Sequence, residues 1–275
     1  MTKVATKKEE NTQVSTNLNP PMAEDGSSYV NSNDTIIPRI HLMQGLSKLV
    51  EEEKAKTGEF VNSQNEEVIC PRDTALRFTP VKFWKTWVKL EANPGGKDKY
   101  IEEFPYTPTN CNLPREQVEE GKLIKYMETH NHLVLLNKDI EAYSKALENG
   151  DDDAILWPYL LSLKSTGLMA SKSILSEMQK FKMASQMTGK AQKEIFHKYF
   201  ELSSEKKEND KGTFYIPKVK YVDKSNEQAL VAGGIWLDNM KSTEYEFGKD
   251  QLQDSDDEPK QLNNVPAGDT LDIDV

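Results

Sequence analysis

Hydrophobic positions in this chain fall mostly into short runs at period two, separated by polar stretches rich in turn residues, which is a strand pattern rather than a helix pattern. The densest run, 76–90 (LRFTPVKFWKTWVKL), is crowded with Phe, Trp, Val and Thr and predicts a strand. Strict alternation sends Val81, Phe83, Lys85 and Trp87 to one face, and Lys82, Trp84, Thr86 and Val88 to the other. Further strands are expected at Phe60–Ser63, His132–Leu136 and Trp157–Lys164, the last ended by Thr166-Gly167. The segments 198–204 and 213–222 flank the turn-forming Asn209-Asp210-Lys211-Gly212 and predict a hairpin. Helical spacing appears at 47–56, from Leu168 onward with Leu168, Leu175, Met178 and Phe181 on one face, at 189–197, and at 225–240 with Ala229, Ala232, Trp236 and Met240 on one side. Residues 91–99 predict a loop. Residues 100–130 predict an irregular polar excursion with a short helix near 114–120, and Asp151–Asp153 a surface turn.

Strands with few helices between them point to a mainly β fold with helices (α+β), built as an antiparallel sheet or small barrel. Residues 1–34 are polar and carry NPP at 19–21, so they are expected to be disordered. Residues 35–250 are expected to form one domain, and residues 251–275 a disordered acidic tail.

Charge sharpens this division. The 275 residues carry a net −10, but its distribution is uneven. Residues 251–275 hold seven carboxylates against Lys260, a net −6, whereas 160–222 hold twelve lysines against six carboxylates, a net +6. A basic stretch followed by an acidic tail suggests an interaction protein. No apolar run approaches the roughly 18 residues of a membrane span. The N-terminus MTKVATKKEENTQ has no apolar stretch behind its lysines, so a secretory signal is not expected. Cys70 and Cys111 are too few for a disulfide framework and are expected as free thiols in a reducing compartment, the cytoplasm.

Catalytic signatures are missing: the chain has no GxxxxGK[ST], GxGxxG or GxSxG. Cys70, Cys111, His130 and His132 offer four zinc-type ligands, but without a CxxC knuckle the spacing favours free thiols and two surface histidines. Asp151–Asp153 read as a solvated acidic turn. No cofactor or metal is expected. The positive signal is aromatic side chains interleaved with lysine, at Lys82, Phe83, Trp84, Lys85, Trp87 and Lys89, and at Tyr215, Lys218, Lys220 and Tyr221. Lys164 and Lys172 add charge between these segments. Lysines neutralise phosphates and release counterions, while aromatic faces stack on unpaired bases. The alternative use of the same rings is to fill the core.

Pro38-Arg39-Ile40 with Gln44-Gly45-Leu46-Ser47, Gly58-Glu59-Phe60-Val61-Asn62-Ser63, Pro158–Thr166 and the Asn209–Tyr221 hairpin resemble a set of bacteriophage proteins of replication genes that bind single-stranded DNA. The tail ends DTLDIDV and is similar to the acidic tails of single-stranded DNA-binding proteins, though it closes on Val275 rather than an aromatic. The resemblance implies an OB-fold, a small antiparallel barrel, here with long insertions. It also implies sequence-independent binding of single-stranded DNA in phage replication and recombination, without covalent chemistry, and recruitment of replication proteins through the tail. The rival class is a virion structural or packaged internal protein, and a second rival is a nuclease or recombination enzyme.

Overall fold

The computed structural model describes residues 37–94, 98–151, 154, 156–188, 198–210 and 212–242, and realises the period-two runs as two antiparallel sheets. The elements run β1 (Ile40–Leu42), α1 (Lys48–Glu51), β2 (Phe60–Asn62), β3 (Val68–Cys70), β4 (Leu76–Glu91), β5 (Lys99–Pro105), β6 (Glu116–Glu119) and β7 (Lys122–Leu136). They continue through α2 (Asn137–Glu148), β8 (Tyr159–Lys164), a 3-10 turn (Ser165–Gly167), α3 (Leu168–Thr188), β9 (Lys198–Asn209), β10 (Gly212–Lys224) and α4 (Glu227–Ser242). The fold is mainly β with helices, as expected. The 1–34 and 251–275 segments and the 189–197 helix lie outside the described residues.

A small sheet has the order β1-β2-β3. The large one runs β10-β9-β4-β7-β6, with β5 also on β4 and β8 also on β7. β4 shares one edge between β9, at Leu76–Phe78, and β5, at Thr86–Glu91. β7 likewise divides its outer edge between β8 and β6. The strands therefore form long ribbons in an open order, and among the described residues no ladder joins β10 to β6. This corrects the expected closed OB-type barrel. β8 instead meets the small sheet through a parallel bridge, Arg39 to Leu160, and Leu160 N–H donates to Pro38 O at 2.8 Å.

Two clusters fill the two faces of the large sheet. The first lies under the small sheet and α3 and holds Ile40, Phe60, Leu136, Leu161 and Ile174, with Phe78 and Phe200 stacked at 5.8 Å. The second lies under α2 and α4 and holds Val81, Leu133, Leu135, Ile140, Ala229 and Trp236. Trp236 donates its indole N–H to Leu156 O at 2.9 Å. A third cluster sits at the far end of β4 and β7, where Trp87, Ile124 and Tyr126 pack with Phe104, Tyr106 and Leu113. Across the second face a polar row ties four strands: Ser162 donates to Asn131 at 2.7 Å, Asn131 to Thr86 at 2.9 Å, and Thr86 to Glu103 at 2.6 Å. A slip of one residue would point these groups at the opposite face, so the row helps to lock register.

Several local expectations need correction. The β4–β7 register shifts between Pro80 and Lys82, so Val81 is a bulge residue. Val81 packs under α2 and α4, while Phe83, Lys85 and Trp87 face the other way, which breaks the alternation read from sequence. The 100–130 excursion is irregular only over 106–115, and it is not helical at 114–120. It supplies β5, β6 and the first half of β7, in which half-exposed positions let polar residues occupy strands. The helix expected over 47–56 covers only Lys48–Glu51. On α3 the buried side chains are Ala170, Ser171 and Ile174, with Met178 packed beside them, rather than the stripe through Leu168, Leu175 and Phe181.

Candidate nucleic-acid interface

The expected hairpin forms with Asn209 paired to Gly212, whose φ of 123° lies where glycine is favoured. Register then sorts its side chains. Tyr215, Pro217, Val219 and Tyr221 share a face with Ser204, Leu202 and Phe200, and this face turns toward the first core cluster. Phe214, Ile216, Lys218 and Lys220 share the opposite face with Lys207, Glu205, Ser203 and Glu201. Beside α3 these residues help to line a groove of about 800 Å³. Ala75, Met169, Phe214 and Ile216 give it an apolar lining, and Lys207, Lys218 and Lys220 a cationic one, against Glu201 and Glu208.

Glu205 lies 2.9 Å from both Lys207 and Lys218, so one carboxylate serves two cations. Hydrogen bonds from Lys207 and then Lys218 hold its carboxyl below the usual range. Lys220 is exposed, and among the described residues no carboxylate pairs with it. Lys207, Lys218 and Lys220 thus stand among three carboxylates, those of Glu201, Glu205 and Glu208.

The sequence-selected residues do not converge on one groove. Lys218 and Lys220 line it, and Lys172 is exposed on α3, the helix that forms its wall. Tyr215 is 8% exposed. Its backbone is clasped by the Gln44 side chain in two hydrogen bonds, of 2.8 and 3.0 Å, and Arg72 donates to its hydroxyl at 3.3 Å. Tyr221 packs on Phe200 and lies under the buried Lys198 ammonium, 4.5 Å from its ring centre.

On β4, Phe83 packs against His130 and His132. Trp87 is 5% exposed and stacks on Tyr106 at 5.5 Å. Lys85 pairs with Glu128 at 2.6 Å over the Tyr106 ring, and Lys89 with Glu119 at 2.9 Å. Lys82, Trp84 and Lys164 lie on the opposite face, where Trp84 packs against the second cluster and Lys164 is half-buried opposite Thr129. Burial pushes the Lys82 ammonium below its ordinary range. A base would have to displace protein to reach Trp87 or Tyr215.

The groove adds Phe214 and Lys207, which sequence reasoning passed over. Phe214 stood inside the aromatic–lysine segment, but Lys207 becomes its neighbour only through the β9–β10 register.

The zinc-type set disperses. Cys70 is buried in the first cluster, 3.3 Å from the Thr74 hydroxyl, and Cys111 lies in the loop after β5. His130 and His132 do share a face of β7, but they are 3% and 0% exposed, not surface residues. Both meet Ser171 of α3, at 2.6 and 2.8 Å. Burial lowers both rings, that of His132 to about 3. Among the described residues no group of three or more His, Cys, Asp or Glu is placed to hold a metal ion. No described helix is long and apolar enough to cross a membrane.

An open β-rich domain with an apolar groove lined by three lysines and two glutamates defines a class of protein but no single activity. The family match is more specific: the model described as Pam3 phage gp34-like protein matches residues 7–246. The match spans most of the chain, and the protein belongs to this bacteriophage family. No curated protein and no solved structure matches it.

Proposed function

We propose that this phage protein binds single-stranded DNA without sequence preference and makes no covalent change in it. The observation that carries the reading is the groove in which Phe214 and Ile216 lie among Lys207, Lys218 and Lys220. Lysines there exchange condensed counterions for phosphates, and the Phe214 ring offers a face to an unpaired base. The Glu205 carboxylate keeps Lys207 and Lys218 ordered between binding events, and phosphate competes with it for both. In this reading Trp87, Tyr215 and Tyr221 hold the scaffold. The binding role belongs to Lys218, Lys220, Lys207 and Phe214, with Lys172 at the flank. Protection of single strands during replication and recombination in the host cytoplasm, with the acidic tail recruiting replication proteins, completes the proposal.

The test is a titration of fluorescently labelled oligo(dT) and of duplex at several salt concentrations. Single strands bind better than duplex, and affinity falls steeply with salt, with a log–log slope of several units. Phe214→Ala weakens binding by about 1–3 kcal/mol. Lys218→Glu with Lys220→Glu abolishes most of it. Equal affinity for both forms, or a flat salt response, refutes the proposal. Co-purification with phage particles in place of DNA binding would favour the virion protein instead.

A further inference from the structure

Ser171, in the first turn of α3, is wholly buried against two histidines of β7. His130 Nδ1 lies 2.6 Å from its Oγ and His132 Nε2 lies 2.8 Å from it, while His130 Nε2 is 3.0 Å from Glu128 Oε1. With both rings held neutral by burial, hydrogen-bonding capacity assigns every proton. Burial works against the charge on Glu128, but hydrogen bonds from Lys85 and His130 hold its carboxyl below the usual range, so it is ionised and only accepts. His130 therefore carries its proton on Nε2 and donates it to Glu128. Its bare Nδ1 accepts from the Ser171 hydroxyl, whose oxygen accepts from His132 Nε2–H. His132 Nδ1 is then the bare nitrogen of a neutral ring, and it is the one ring nitrogen of the pair without a partner.

This chain pins the stretch of α3 that lines the groove. Met169, Ala170 and Ser173 flank Ser171 and contribute to the lining, while Ser171 itself faces β7. We infer that His132, Ser171, His130 and Glu128 form a positioning clamp for the α3 wall of the groove, one that holds only while both rings are neutral. The link to binding rests on the proposed reading of the groove. A proton on His130 Nδ1 would turn the acceptor of the serine hydroxyl into a donor. A proton on His132 Nδ1 would create a buried donor with nothing to receive it. The charged groups facing the clamp are Glu128 from β7, Lys85 from β4 and Lys172 from α3. From β4 the Phe83 ring, and from β8 the register neighbours Leu161 and Leu163, bring no charge.

Methyl NMR of the full chain reads the wall directly, because Met169 is 68% exposed beside the groove and Met187, 86% exposed at the far end of α3, serves as the control. Ser171→Ala is expected to move the Met169 methyl signal, leave Met187 in place, and weaken oligo(dT) binding about tenfold as the competent wall becomes a minor state. His132→Gln keeps a neutral donor toward Ser171, so it is expected to keep the Met169 signal and the oligo(dT) affinity of wild type at pH 7. An unmoved Met169 signal in Ser171→Ala overturns the clamp. A moved signal with unchanged oligo(dT) affinity supports the clamp and overturns the role of this groove in DNA binding. Should Ser171→Ala fail to fold, the acid curve of wild type decides: a Met169 signal that holds, or that moves only together with Met187, overturns the clamp, and a shift at Met169 alone supports it.

Discussion

Replacing Gly58 by alanine tests how the small sheet grips the hairpin behind the groove. Gly58 has φ +87°, and a Cβ built there would lie 2.5 Å from Tyr215 Cε1 and 2.6 Å from Cδ1. Carbon atoms pack best at about 3.5–4.0 Å, so the overlap is about 1 Å. The ring cannot simply swing away, since Gln44 holds its backbone and Arg72 its hydroxyl. Gly58 O also accepts from Ser204 Oγ at 2.6 Å, which ties the other strand of the hairpin to the same turn. A left-handed conformation costs a non-glycine residue roughly 1–2 kcal/mol, and overpacking adds about 1–3 kcal/mol. Gly58→Ala should therefore lose roughly 2–5 kcal/mol. Urea titration followed by circular dichroism measures it, with Gly45→Ala as the control because no atom lies within 4 Å of a Cβ at that site. Since Phe214 and Ile216 flank Tyr215, oligo(dT) affinity should fall as well. A change below about 0.5 kcal/mol, the ordinary scatter of surface substitutions, would refute the reasoning.

Two further predictions follow from charge. The His132 ring titrates at about 3 in the fold against about 6.5 in an unfolded chain, so only the unfolded state takes up its proton in between. Its contribution is complete above pH 6.5 and is lost as pH falls toward 3, at about 1.4 kcal/mol per unit, or about 2 kcal/mol at pH 5. Urea titrations at pH 7 and 5 should show a smaller loss in His132→Gln than in wild type, and equal losses would count against a neutral buried ring. Deleting residues 251–275 removes a net −6. If that tail competes with phosphate for the lysines of 160–222, the truncated protein binds oligo(dT) more tightly at low salt and equally at high salt. Unchanged affinity at low salt would exclude the competition.

Elements whose burial pattern follows their own residues were legible in the sequence. The Asn209–Gly212 turn and the apolar run of β8 both hold in the fold. So does the α4 face carrying Ala229, Ala232 and Trp236. Val81 was not legible from the apolar pattern, because one inserted residue reverses every later side chain and only Pro80, which cannot donate to a ladder, marks the place. β5 and β6 escaped notice because their side chains are largely exposed, which leaves no apolar alternation to read. The motif residues Gln44, Gly58, Pro38 and Arg39 stood out before their purpose did. Gln44 and Gly58 clasp Tyr215, and Pro38 and Arg39 join β8, a joint visible only once distant strands meet. Lysine–aromatic interleaving picked out Lys218 and Lys220, which line the groove, but it could not separate them from Trp87 and Tyr215. Composition is blind to which neighbour already occupies a ring.

The bulge at Val81 lets one strand serve three hydrophobic clusters: Phe78 enters the first, Val81 the second and Trp87 the third. β7 does the same through Leu136, Leu133 and Tyr126. Neither strand can leave one cluster without opening the others, so no seam runs between these three clusters along which one of them could melt alone. Amide exchange should reflect this. The β4 and β7 amides around the bulge should exchange last and together, at the free energy of global unfolding, while those of β5 and β6 exchange early.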